Sequence, residues 1–295
     1  MDQEGVVRVD QMPHVDEDIK PIIDYFEAYK SYIDKLLANN NEIEGITTGI
    51  PRLDTITGGL KEGELTVLAA RTSIGKTSIA LHMALQAAKL LKNQEYICFF
   101  SLEMSANQLI NRMISIEVNE TINNIIKKQD TELLHQGINQ IVFLNILIDN
   151  SGNMDLNTLK KKISSICRKY QMKCIYIDYL QLLRGSRITE NRTLEVTEIS
   201  RTLKNIAKDF NVPIVALSQI SRKVEDRQNK RPQLADLRES GSIEQDADLV
   251  LLLYRENYYK ADSNNDLEIN VAKNRSGSTG KVTVPYQVNT GRILS

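Results

Sequence analysis

The sequence predicts an α/β fold in which a mostly parallel central sheet is flanked by helices and followed by a C-terminal β-hairpin. Three observations predict it. Near-continuous apolar runs alternate with helical patterns, as expected of strands covered on both faces. One such run, Leu65–Ala69, stops at a loop of small residues and restarts as an apolar helix over Ser78–Leu91. Several later runs end in polar residues, and in an open parallel sheet the carboxyl ends of the strands are where ligands collect.

Bulk composition limits the alternatives. A chain of 295 residues that is 41% hydrophobic and 25% charged can bury one large core, most simply in one domain with an N-terminal arm. The formal net charge of −1 gives no global attraction to nucleic acid, so any such binding must come from local clusters. Cys98, Cys167 and Cys174 lie in apolar surroundings without metal-ligand spacing, and an odd count argues against a disulfide framework. His14, His82 and His135 are too scattered for a metal cluster. With no membrane-length apolar run and no signal segment, the expected location is cytoplasmic, without a membrane partner.

The first residues, 1–20, carry six acidic side chains against two basic ones and read as a flexible acidic tail. From Pro21 the spacing of Ile22, Phe26, Tyr29, Ile33 and Leu36 predicts a helix that Asn39, Asn40 and Asn41 end. Residues 21–44 are thus a helix with its connector, and a helix this short needs a surface to pack on, in its own domain or on a neighbour. The domain proper is placed at 45–295. Strands are expected at Leu65–Ala69, Tyr96–Phe100, Ile146–Ile148, Cys174–Ile177, Ile214–Leu217 and Leu249–Tyr254. Helices are expected at Ala106–Val118, Thr131–Gln140, Leu156–Tyr170 and Leu194–Phe210, and the hairpin at Glu268–Ala272 and Lys281–Tyr286.

The loop Ala70-Arg71-Thr72-Ser73-Ile74-Gly75-Lys76-Thr77-Ser78 suits phosphate, because a strand, tight loop and helix aim backbone N–H groups and the positive helix end at one spot. Lys76 would reach terminal phosphates and Thr77 would hold Mg²⁺. Ala70 stands where this pattern usually has glycine. Asp178, closing the run Cys174–Ile177, is either the acidic partner of Mg²⁺ or a turn aspartate. Glu103, after Tyr96–Phe100, either polarises an attacking water or stabilises the next helix as a first-turn acid. Gln219, after Ile214–Leu217, either senses a γ-phosphate or closes a sheet edge. Basic residues gather in two loops: Arg222, Lys223, Arg227, Lys230 and Arg231 in one, Arg184, Arg187 and Arg192 in the other.

These motifs, together with Ser-Leu-Glu-Met-Ser (101–105), Ile-Asp-Tyr-Leu-Gln-Leu (177–182), Ser-Gln-Ile-Ser-Arg (218–222) and the long string Leu237 to Asp248, resemble the DnaB family of replicative DNA helicases in kind and order. The resemblance covers roughly 45–295, the RecA-like P-loop ATPase core, and residues 21–37 look like the linker helix before it. It implies an ATP- and Mg²⁺-dependent motor that forms a hexameric ring on single-stranded DNA, with a nucleotide at each subunit boundary. It also implies that Glu103 activates water, that Asp178 supports the metal and that Gln219 couples hydrolysis to DNA loops. By the same resemblance Lys273 and Arg275 reach the neighbouring subunit's γ-phosphate, and Arg238, Glu239 and Gly241 face the pore. Family members usually carry an N-terminal collar that meets primase; the chain's length leaves no room for one, so primase contact is not expected, while a helicase loader is a further candidate partner. A RecA-like recombinase that forms filaments, or a regulatory subunit joining a host helicase, are the alternative readings.

Overall fold

Strand β1, Leu65–Ala70, is buried at all six positions, and its side chains alternate between two cores: Leu68 and Ala70 face one, Val67 and Ala69 the other. Burial on both faces is the pattern of an interior strand of a parallel sheet, and β1 pairs in parallel with β5 (Ile214–Gln219) on one side and β6 (Leu249–Tyr254) on the other. The computed structural model describes residues 21–38, 43–152, 154–183, 185, 192–260 and 262–294. Its nine-stranded sheet has the order β3-β2-β4-β5-β1-β6-β7-β8-β9, with β2 at Glu95–Ser101, β3 at Ile146–Asp149 and β4 at Gln171–Asp178. The first six strands are parallel; β7 (Asp266–Asn274), β8 (Gly280–Gln287) and β9 (Arg292–Ile293) add antiparallel hairpins. The α/β architecture and the terminal hairpin are those the sequence predicts.

Helix α1, Ile23–Ala38, belongs to a separate unit, Met1–Glu42, in which the Phe26 and Tyr29 rings meet edge-on at 6.2 Å. The other unit is Ile43–Ser295. Its helices cover both sheet faces: α3 (Lys76–Lys89) and α4 (Ala106–Val118) pack into one core, α7 (Leu156–Lys169) and α8 (Arg192–Phe210) into the other. Four further helices are short: α2 (Pro51–Thr57), α5 (Ile122–Lys128), α6 (Thr131–Ile141) and α9 (Gly241–Asp246). Of these the sequence predicts only α6, because six or seven residues are too few to display a helical period. The acidic tail, the three asparagines, Arg184 and Arg187 lie outside the described residues. Among the described residues no helix is long and apolar enough to cross a membrane.

A buried carboxylate ties the start of β1 to the hairpin. Asp248, 5% exposed, accepts from the Leu65 backbone N–H at 2.8 Å, from Lys204 Nζ at 2.7 Å and from Arg275 Nη1 at 3.1 Å. Replacing it with alanine leaves the Leu65 N–H without its acceptor and takes the counter-charge from Lys204 and Arg275, so Asp248→Ala should cost about 3 kcal/mol. Thermal unfolding followed by circular dichroism should show a fall in Tm of roughly 6–12 °C; an unchanged Tm would remove this anchor.

Candidate functional site

The chain leaves β1 at Ala70 and enters α3 at Lys76, two residues earlier than the apolar pattern suggests, because Gly75 at φ 113° serves as the N-cap. Ser73 is also left-handed, at φ 64°. A Cβ on Gly75 would stand 2.5 Å from Tyr286 Oη, so both the backbone angle and the approach of β8 require glycine there. Above the loop opens a cavity of about 570 Å³, into which Lys76, Thr77, Glu103, Arg112, Tyr179 and Gln219 project.

Asp178 ends β4 and is fully buried; Thr77 Oγ1 donates to its Oδ2 at 2.7 Å. Its Oδ1 has no hydrogen-bond partner among the described residues. Burial pushes this carboxyl above the usual carboxylate range, against the Thr77 hydrogen bond and the Lys76 charge. Lys76 is shifted downward, again by burial first, against the attraction of Asp178 and Glu103, and its Nζ lies 4.4 Å from the Tyr179 ring centroid. A buried carboxylate with one unmatched oxygen beside a threonine hydroxyl fits a hydrated Mg²⁺, and a desolvated lysine at a helix N-terminus fits a phosphate anion.

Glu103 is exposed to the cavity in the turn after β2. It is not a first-turn acid of α4: Ser105 is the N-cap there, in a capping box with Gln108. Gln219 does not close a sheet edge either, since β5 lies between β4 and β1. Its Nε2 donates to Thr72 Oγ1 at 2.7 Å, and its backbone N–H donates to Gln181 Oε1 at 3.2 Å. Both structural alternatives left open by the sequence are thereby removed.

Lys273 and Arg275 are not brought to this cavity within one chain. Lys273 Nζ donates to the carbonyls of Glu244 at 2.6 Å and Ala247 at 2.7 Å, and burial shifts it downward, followed by the Arg275 charge. Arg275 binds Asp248 and, at 2.5 Å, the Gln245 carbonyl. These partners lie at the Leu65 end of β1, a strand length of about 17 Å from the loop at its other end. Arg222 and Lys223 are exposed in a 3-10 turn, Arg222–Asp226, while the nearby Arg227 pairs with Asp236 at 2.6 Å and Arg231 with Glu268 at 2.5 Å. The last two are therefore framework cations. Arg192 opens α8. For Arg238, Glu239 and Gly241 the backbone alone is described, in the 3-10 stretch Leu234–Ser240 and at the start of α9.

The sequence reading missed several cavity residues, among them Arg112, Tyr179, Arg255 and Tyr286. Arg255, 4% exposed, donates from Nη2 to the Ser73 carbonyl at 2.9 Å and lies 5.5 Å from the Tyr286 ring centroid. Burial lowers its pKa, which places a poorly solvated cation beside the loop. The signal was available: Arg255 follows the run Leu249–Tyr254, so it is the strand-end polar residue there, as Asp178 is for β4.

Comparisons with known proteins agree with this geometry. The family model of the DnaB-like helicase C-terminal domain matches residues 45–295. The chain is similar to the replicative DNA helicase DnaB of Geobacillus stearothermophilus, at 41% identity over 95% of this chain and 63% of that protein. It is likewise similar to the replicative DNA helicase DnaC of Bacillus subtilis (strain 168), at 41% identity over 86% of this chain and 57% of that protein. The chain thus spans about three-fifths of the curated relatives' length. Among solved structures, one described as an ATPase domain matches with a TM-score of 0.85 and 34% identity, covering 92% of this chain and 98% of that one. A DnaB-like replicative helicase described with its interactions with primase matches at 0.81 and 33%, covering 94% of this chain and 67% of that one. The core is RecA-like, as expected from the motifs.

The approach of Tyr286 to Gly75 gives a direct check on the loop. Gly75→Ala should weaken binding of a fluorescent ATP analogue by about tenfold, the equivalent of roughly 1.4 kcal/mol of left-handed backbone strain and crowding. Adding Tyr286→Phe should recover part of that loss, because the hydroxyl goes while the φ strain stays; equal affinity in all three proteins would refute the crowding.

Proposed function

The chain belongs to the DnaB-like helicase C-terminal domain family, and from that premise we propose that it is the ATP-hydrolysing motor of a hexameric ring that moves on single-stranded DNA and unwinds duplex during replication. The observation that carries this reading is the placement of the two functional ends. The phosphate loop caps one end of β1 while Lys273 and Arg275 sit at the other, so one copy cannot bring both to the same phosphate. A head-to-tail neighbour can, and a head-to-tail contact that closes makes a ring.

On this reading the backbone N–H groups of residues 71–77 and Lys76 bind the nucleotide phosphates, with Thr77 and Asp178 holding Mg²⁺. The bound Mg²⁺ would neutralise phosphate charge and help align the terminal group. Glu103 orients the attacking water and accepts its proton, since phosphoryl transfer needs chiefly an aligned nucleophile and offset charge. Lys273 and Arg275 from the next copy offset the charge that builds in the transition state, a contribution of about 10³–10⁵ in rate, or roughly 4–7 kcal/mol. Gln219, bonded to Thr72, reports the filled loop to the segment that follows β5. Arg222 and Lys223, with Arg238, Glu239 and the Gly241 backbone, meet the DNA. A helicase loader is a further candidate partner.

Two experiments test the reading. Lys76→Ala should abolish hydrolysis, measured as phosphate release; near-normal turnover would contradict the loop assignment. Arg275→Ala and Glu103→Gln proteins should each be inactive alone yet regain hydrolysis when mixed, because some interfaces then pair an intact Glu103 with an intact Arg275. No recovery in well-mixed assemblies, or full-speed hydrolysis by a strict monomer in analytical ultracentrifugation, would overturn the shared site.

A further inference from the structure

Arg71 belongs to the phosphate loop, but its side chain leaves the loop and crosses to the segment after β5. Its Nε donates to Glu225 Oε1 at 2.8 Å and its Nη1 to the Ile220 carbonyl at 3.0 Å. The backbone is joined at the same place, since the Ile220 N–H donates to the Ala70 carbonyl at 3.0 Å. Arg71 is largely buried, at 12% side-chain exposure, whereas Glu225 is half-buried at 31%. From its other side Glu225 Oε1 accepts from Tyr259 Oη at 3.4 Å, and Tyr259 stacks on Tyr254 at 5.6 Å. Burial, with the Glu225 charge next, pushes the Tyr259 phenol upward, so it stays a donor. Glu225 thus joins the phosphate loop, the 3-10 turn that carries Arg222 and Lys223, and the turn that follows β6.

The turn is also seated by Val224, which is fully buried, and held at its two ends, where the Ser221 N–H donates to the Asp236 carbonyl at 3.3 Å and Arg227 pairs with the Asp236 carboxylate at 2.6 Å. Glu225 is its charged attachment to the phosphate loop. Arg71 also lines the cavity above the loop. An anion entering that cavity adds negative charge beside a guanidinium already held by a carboxylate, and the two compete for one cation. A rigid planar guanidinium cannot swing to one partner without altering its geometry to the other.

We propose that Glu225 is a positioning residue: through its charge-assisted bond to Arg71 it makes the exposed Arg222–Lys223 turn respond to whether the phosphate loop is filled. The inference rests on the reading of the loop as a nucleotide site and of the turn as a DNA contact. It adds a second route beside Gln219–Thr72, one that works by exchange of charge instead of by a neutral amide. Linkage then fixes a symmetry: whatever factor the nucleotide applies to DNA affinity, DNA must apply to nucleotide affinity.

The test uses the full chain and compares wild type with Glu225→Gln, which keeps the side-chain volume and removes the charge, and with Glu225→Ala. Fluorescence anisotropy would give the Kd of a labelled oligo-dT with and without a slowly hydrolysed ATP analogue, and the Kd of a labelled analogue with and without oligo-dT. Expected is a wild-type coupling factor of about fivefold or more, falling toward one in both variants and by the same amount in both directions. DNA-free hydrolysis should stay within about twofold of wild type, since Glu225 touches no reacting atom. Tyr259→Phe, which keeps the ion pair, should keep the coupling. A wild-type coupling factor retained in both Glu225 variants overturns the proposal while leaving the motor reading intact. A wild-type chain that binds nucleotide but no oligo-dT overturns the DNA reading and the proposal with it.

Discussion

Everything at the site depends on β1 being held in register between two parallel strands. Ala70 stands opposite Gln219 on β5, and Ala69 opposite Leu252 on β6, so the point where β1 ends also fixes where its neighbours end. On the far side of β5, Ile177 pairs with Ala216, which sets Asp178 at the same rim. Lys76, Asp178, Gln219 and Arg255 are distant in sequence. They converge because parallel strands with one register all finish at one edge. Side-chain burial on both faces of β1 enforces that register, since a slip by one residue would exchange the two cores.

The same register explains why charge is stationed at both ends of the sheet. At the loop end the half-buried Lys76 lies near the buried Asp178, the buried Arg255 holds the Ser73 carbonyl, and burial disfavours the charged form of all three. A polyanion with a divalent cation would relieve that arrangement, giving the cations a partner and the carboxylate a contact for its Oδ1. At the other end, Lys273 and Arg275 are held on the carbonyls of Glu244, Gln245 and Ala247 and on Asp248. Asp248 in turn accepts from the first residue of β1. A single strand thus connects the site proposed to receive a phosphate to the cations proposed to serve the next one.

How much of this was legible in the sequence follows from how local each signal is. Six parallel strands were readable because burial on both faces writes uninterrupted apolar runs such as Leu249–Tyr254. Asp178 stood out because it ends such a run, and Lys76 and Thr77 because they open the helix that follows the loop after another. The short helices α2, α5 and α9 were not, having too few turns to show a period. Nor was the crowding of Gly75 by Tyr286, which joins residues far apart in the chain through the return of β8 to the loop. Charge was misread in one respect: Arg227 and Arg231 count with the basic loop in sequence, but Asp236 and Glu268 claim them in the fold. Sequence lists charges, and only packing shows which ones are already matched.

That last point bears on how such a motor could hold DNA. With Arg227 and Arg231 matched internally, Arg222 and Lys223 are the exposed cations of their turn, in a chain whose net charge is −1. Each phosphate neutralised on a single strand contributes a salt slope of about −0.7, so one subunit holding two phosphates would bind weakly and release readily in salt. A ring multiplies the same two contacts by linking them, which raises avidity without adding a contact. Weak grip per subunit is also what movement requires, because a copy that bound tightly alone could not let go in turn. On the proposed reading, the sparse charge of the turn and the distance of Lys273 and Arg275 from the loop of their own chain point the same way: a single chain would grip DNA weakly and lack the cations that speed hydrolysis, and a ring would supply both.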